Sequence, residues 1–95
     1  MTERYELLIK PNARRALAET LPPSASFAAW EFIKGPLREA PHRVGKPLLA
    51  PLLGDWSARR GYLRIRYRID EAKRVVTVVD VAHRSDAYHP RRSTF

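Results

Sequence analysis

Between Tyr62 and Asp70 the chain reads YLRIRYRID, and this run limits the fold more than any other. Leu63, Ile65, Tyr67 and Ile69 alternate with Arg64, Arg66 and Arg68. Strand side chains point alternately to opposite faces, so the run predicts a strand with one apolar face and one row of guanidinium groups. A helix would scatter both sets around its axis. The apolar face needs a covering layer. The cationic face is unusual, because a merely solvated face mixes glutamate and lysine among its charges. Three arginines in five residues point to binding.

The flanking segments extend this strand into a sheet. Residues 54–59 predict the preceding strand, with Trp56 and Ala58 on one face and Asp55, Ser57 and Arg59 on the other. Arg60-Gly61 supplies the turn. After a second turn at residues 70–73, the β-branched run VVTVVDVA (residues 75–82) predicts a central strand buried on both faces. Upstream, RYELLIK (residues 4–10) predicts a short strand stopped by Pro11, and NARRALAET (residues 12–20) a helix ended by Pro22-Pro23. A second helix is expected from an N-cap at Ser24. It would present Phe27, Trp30, Ile33 and Leu37 to the sheet and close at Gly35-Pro36. Residues 38–53 hold three prolines and a glycine, which argues against helix and ladder alike. Their apolar members Val44, Leu48, Leu49, Leu52 and Leu53 should still lie against the body. The pattern is α+β: an N-terminal strand and helical hairpin packed on an antiparallel meander, in one domain spanning residues 1–95. Trp56 and Tyr67 read as core, His42 as surface, and the last residues, RRSTF, as frayed.

Composition narrows the function classes. Hydrophobic residues make up 44% of 95, enough for one modest core. There is no cysteine, so disulfides and thiolate–metal sites are excluded, and the three histidines show no helical metal-ligand spacing. No cofactor is implied. No apolar run approaches the roughly 20 residues of a membrane span, and the start lacks a secretory layout, so the cytoplasm is the expected location. The net charge is +8, and its distribution decides more than its size. Residues 35–69 carry eight bases against two acids, while the segments on either side carry +1 each. Such a patch suits phosphate or an acidic partner.

Three segments, GPLREAPHRVGKPL, LGDWSARRGYLRIRYRID and VVTVVDVAHRSDAY, together resemble the RelE/ParE superfamily of type II toxin–antitoxin toxins, within it the RelE-type messenger-RNA endoribonucleases. The resemblance covers nearly the whole chain in the right order. It implies a curved antiparallel sheet with an N-terminal helical hairpin, and a toxin that enters the ribosomal A site and cuts messenger RNA against ribosomal RNA. It also implies silencing by a cognate antitoxin in a hetero-oligomer. The family's active-site bases before the turn fall on Arg59 and on Ser57, where many relatives carry lysine. The phosphate-holding strand arginine falls on Arg64, the arginine after the last strand on Arg84, and the C-terminal tyrosine on Tyr88.

The chemistry of RNA cleavage without a metal fits these residue types. The 2′-hydroxyl attacks its own phosphate, so a proton must leave, charge on phosphorus must be met, and the 5′-oxygen must depart. Arginine meets the charge well, because it is always protonated and grips phosphate through two N–H groups. It transfers protons poorly, its pKa being roughly 12.5 or more. Arg59, Arg64 and Arg84 are therefore assigned to phosphate binding and charge stabilisation. Histidine titrates near neutrality, which makes His83 the candidate for proton transfer. Tyr88 is suited to stacking on a splayed base, to orienting the 2′-hydroxyl, or, in a cationic site, to taking its proton. Ser57, Arg60, Arg66 and Lys46 are the expected substrate contacts, with Arg66 and Arg68 tracking the backbone or meeting the antitoxin. A gyrase poison of the ParE branch and a non-catalytic RNA-binding module are the competing readings. On either toxin reading the antitoxin should be acidic and amphipathic, fold on binding, and lie across the helical hairpin and sheet edge.

Overall fold

A computed structural model of the chain describes residues 4–83. The arginine run forms β4 (Leu63–Asp70), as its alternation requires. It sits in a five-stranded sheet with β1 (Glu6–Ile9), β2 (Lys46–Pro47), β3 (Trp56–Arg60) and β5 (Val75–His83), in the order β1-β5-β4-β3-β2. The three strands from β3 to β5 are the expected antiparallel meander. The N-terminal strand adds to it as a parallel edge, with Leu7 opposite Val76, so the whole sheet is mixed. The fold is α+β.

One face of the sheet carries the helices. Pro11 starts α1 (Pro11–Arg15), where its missing N–H is no loss. A wide turn over Ala16–Thr20 ends it, with Leu21 N–H donating to Ala16 O at 2.9 Å. The second helix, α2 (Pro23–Phe32), begins one residue before the expected Ser24 cap. Ser26 is the hydroxyl that matters there, donating to Leu17 O at 2.5 Å and tying the hairpin together. Gly35-Pro36 does not end this helix: a second wide turn carries the chain through Ile33–Leu37. Ala29, Phe32, Ile33 and Leu37 enter the core, whereas Phe27 is 66% and Trp30 37% exposed, contrary to the predicted stripe. Ala29 explains the choice, since its small side chain lets helix and sheet approach. Trp30 instead lies under the Lys34 ammonium, 5.8 Å from its ring centre. Against the helices the sheet sets Ala58, Leu63, Ile65, Tyr67, Val76, Val78 and Val81.

Three further expectations are corrected. Residues 38–53 do contain regular structure, namely the short α3 (Pro41–Val44) and strand β2. Tyr67 accounts for it: the ring is fully buried and its hydroxyl donates to Pro41 O at 2.6 Å. Gly45 completes the packing, since a Cβ there would strike the Tyr67 hydroxyl and come within 2.7 Å of Ser57 O. The leucines beyond β2 do not lie against the body: Leu49, Leu52 and Leu53 are exposed. Strand β5 is only partly covered on its second face, where Val75, Thr77, Val79 and Asp80 are half-buried. His42 is half-exposed as expected, yet it packs edge-on against Trp56, and its Nε2 lies 2.7 Å from Glu71. No described helix is long and apolar enough to cross a membrane.

Candidate active-site groove

The face of the sheet opposite the helices is floored by rows of side chains that the strand register fixes. Lys46 of β2 is paired with Ser57 of β3, Ser57 with Arg66 of β4, and Arg66 with Asp80 of β5. The adjacent row is Arg59, Arg64 and Ala82. With Arg43, Val44 and Gly45 from the end of α3, and Pro47, Leu48 and Leu52 beyond it, these residues enclose a groove of about 900 Å³. Five cations, Arg43, Lys46, Arg59, Arg64 and Arg66, face one carboxylate, Asp80, among the described lining residues.

Arg59 and Arg64 stand directly opposite each other. Side chains so placed have Cβ atoms roughly 5 Å apart, and like charges in that position destabilise a sheet. Among the described residues neither arginine enters an ion pair, and both are exposed at the groove. Two adjacent guanidinium groups without a counter-ion form a ready anion clasp. Small Ala82, the next residue in the row, leaves space beside Arg64.

Arg66 and Arg68 are handled differently. Asp55 is 4% exposed and reaches between them: its Oδ1 accepts from Arg68 Nε at 2.6 Å, and its Oδ2 lies 3.4 Å from Arg66 Nε. The second contact is electrostatic, because the buried Arg66 Nε has no hydrogen-bond partner among the described residues. Asp55 also anchors the exposed leucine loop through its backbone, accepting from Leu48 N–H at 2.8 Å and donating to Leu52 O at 3.0 Å. Arg66 is thus held in the groove wall by an internal counter-ion, whereas Arg59 and Arg64 are not.

A break in the β4–β5 ladder sets what β5 offers to the groove. Tyr67 pairs with Val78 but Arg66 with Asp80, leaving Val79 as an extra residue. Before this bulge the even positions Val76 and Val78 are buried; after it the odd position Val81 is. Bulges redirect side chains and concentrate near functional sites. Here the switch delivers Asp80 and Ala82 to the groove and turns His83 away.

The structure therefore brings Arg59, Arg64, Ser57, Arg66 and Lys46 together and separates two other candidates. Arg60 faces the helices, its guanidinium stacked 5.1 Å from the centre of the Phe32 ring. His83 pairs with Leu63 on that same face and meets Tyr62 edge-on at 6.3 Å, so it does not reach the groove that Arg64 lines. Arg84 and Tyr88 lie outside the described residues. Sequence reasoning missed Arg43, Asp55 and Asp80. Asp55 had a signal, being the lone acid between Glu39 and Asp70. Asp80 had none, because only the bulge puts it on this face. Among the described residues no group of three or more His, Asp or Glu side chains is placed to hold a metal ion.

Comparison with known proteins agrees with this architecture. Residues 25–88 match the family described as the ParE toxin of the type II toxin–antitoxin system parDE. The chain is 45% identical over 84 residues to toxin RelG of Mycobacterium tuberculosis, covering 88% of this chain and 95% of that protein. It is 43% identical over 84 residues to toxin RelE of the same organism, covering 88% and 86%. The crystal structure of the toxin–antitoxin complex RelBE2 from M. tuberculosis matches with a TM-score of 0.83 at 44% identity, over 86% of this chain and 100% of that one. The isolated Escherichia coli RelE toxin, at 18% identity and a TM-score of 0.67 over 95% and 97% of the two chains, shares the fold. With the family matched over two-thirds of its length and two close relatives across most of it, this chain belongs to the RelE/ParE family of type II toxin–antitoxin toxins.

Proposed function

We propose that this toxin is a ribosome-dependent endoribonuclease that cuts messenger RNA by attack of the 2′-hydroxyl on the adjacent phosphate, without a metal. The observation that carries this reading is the directly opposed pair Arg59 and Arg64, in no ion pair among the described residues, in a groove that also holds Lys46 and Ser57. In the reaction the 2′-oxygen bonds to phosphorus, the bond from phosphorus to the 5′-oxygen breaks, and the hydroxyl proton passes in net terms to that oxygen. The products are a 2′,3′-cyclic phosphate and a 5′-hydroxyl. Arg59 and Arg64 bind the phosphate and meet the charge that grows on its oxygens. Lys46 and Arg43 guide the flanking backbone, and Ser57 donates to a phosphate oxygen. Arg84 supplies a third guanidinium, and Tyr88 orients the 2′-hydroxyl or a neighbouring base. Arginine transfers protons poorly, and among the described residues no histidine lines the groove. Placement of the message by the ribosome compensates, since imposed geometry is worth several kcal/mol.

The RelBE2 toxin is held in a complex with its antitoxin. By extension this chain works in the cytoplasm and is silenced by an acidic partner that folds over it. Induced expression tests the reading: wild type should arrest growth and leave transcripts ending in 2′,3′-cyclic phosphate, and Arg64→Ala or Arg84→Ala should do neither. Arrest by a well-expressed Arg59→Ala, Arg64→Ala double variant would eliminate it. The ParE name of the matched family favours gyrase poisoning as the second reading. Loss of supercoiling activity in a gyrase assay, with transcripts intact, would select that reading instead.

A further inference from the structure

The groove contains one side chain that phosphate binding does not use and in fact opposes. Asp80 lies on its floor, half-buried, beside Arg66 and two residues along β5 from Ala82. It is there because of the Val79 bulge, without which a valine would face Arg66. The carboxylate within ion-pair distance of Arg66 is Asp55, at 3.4 Å, and not Asp80. Among the described residues Asp80 takes part in no ion pair, so both carboxylate oxygens are available as acceptors. A carboxylate repels the RNA backbone. The same carboxylate is an acceptor suited to the donors of a base.

We infer that Asp80 reads a base next to the scissile phosphate, and that this base is guanine; the inference rests on the RNA-cleaving function proposed above. Positions two apart along a strand are separated by roughly 7 Å, which sets Asp80 beside a phosphate clasped by Arg59 and Arg64. Single-stranded RNA is recognised on the Watson–Crick edges of splayed bases. Guanine presents two adjacent donors there, N1–H and the N2 amino group, matching the two acceptor oxygens of a carboxylate. Adenine and cytosine each place a ring acceptor beside their amino donor, and uracil flanks its single N–H with two carbonyls. Each of these acceptors faces the carboxylate unfavourably. The carboxylate both selects guanine and rejects the alternatives.

The test uses purified full-length protein and ribosomes carrying messages that differ at one nucleotide beside the cut. Cleavage is read as the ratio between guanine and each other base, so a change in overall rate does not enter. Wild type should favour guanine on one side of the cut by about tenfold or more, and Asp80→Ala should bring the ratio close to one. Asp80→Asn retains size and one acceptor, and should shift the preference toward bases with an exposed ring acceptor. A wild type that cleaves with no guanine preference overturns the inference without reference to any variant. So does an Asp80→Ala protein that cleaves with the wild-type preference. If wild type cleaves no message at all, the endoribonuclease reading fails first and this one with it.

Discussion

Replacing Asp55 should unfold the groove wall from within, and the size of the effect follows from its surroundings. The Asp55 side chain is 5% exposed and sits between two arginines, while those of Arg68 and Arg66 are 60% and 34% exposed. Removing one partner of a fully buried ion pair costs about 3–5 kcal/mol, because the other charge is stranded. Here Arg68 swings into water, so its share is small. Arg66 does not, because its Nε is buried and already lacks a hydrogen-bond partner among the described residues. The estimate falls to about 2–3 kcal/mol for Asp55→Ala, and to less for Asp55→Asn, which keeps one acceptor. With an unfolding entropy of about 2.1 cal/mol/K per residue, a chain of 95 residues loses roughly 5 °C of melting temperature for each kcal/mol. Thermal unfolding followed by tryptophan fluorescence should therefore show Asp55→Ala melting about 10–15 °C below wild type. Arg68→Ala, which removes a mostly exposed partner, should cost only a few degrees. An Asp55→Ala protein melting within two or three degrees of wild type would refute the claim that this carboxylate holds the wall together.

Other perturbations follow from single contacts. Gly45→Ala would push a methyl group into the Tyr67 hydroxyl and Ser57 O, displacing β2; a loss of about 1–3 kcal/mol is expected in denaturant unfolding, with weaker RNA binding as Lys46 moves. Burial pushes the Tyr67 hydroxyl up to about 12, so the folded state keeps a proton that the unfolded chain releases above pH 10. Stability should then fall between pH 10 and 12, at about 1.4 kcal/mol for each unit of separation, and a Tyr67→Phe protein should lose that part of the slope. Phe32→Ala should cost about 3–5 kcal/mol, while Phe27→Ser, at a position 66% exposed, should cost under about 1 kcal/mol; equal losses would restore the face predicted from spacing. Arg60→Ala should retain RNA cleavage better than Arg64→Ala, because Arg60 packs on Phe32 away from the groove.

Alternation at Leu63–Ile69 was enough to place β4 and its two faces, because a period of two has one structural solution. The same logic failed one strand later. VVTVVDVA carries no alternation, so nothing in it reveals that inward positions change from even to odd at Val79, or that His83 pairs with Leu63 on the helix-covered face. Spacing also misled at α2. Phe27, Trp30 and Ile33 form a sound helical stripe, but the packed surface runs through Ala29, Phe32, Ile33 and Leu37. The proline-rich stretch hid α3 and β2 because their partners are distant in sequence: Tyr67 lies 26 positions from Pro41, and β2 pairs with Trp56 and Ser57 of β3. What was legible in the candidate site were the residues of short-range strand pairing, Ser57, Arg59, Arg64 and Arg66. What was not legible depended on a bulge or on a buried counter-ion, which are properties of the assembled sheet.

The most direct measurement is the single-turnover rate at which purified protein cuts a ribosome-bound message, for wild type, Arg59→Ala, Arg64→Ala and the double variant, with melting temperatures taken on each. If the opposed pair clasps the scissile phosphate, each single change should lower the rate by about a hundredfold or more, and the double change should cost far less than the product of the two, since they act as one unit. Melting temperatures should stay level or rise as like-charge repulsion is relieved. A double variant that folds and cuts at the wild-type rate would contradict the account.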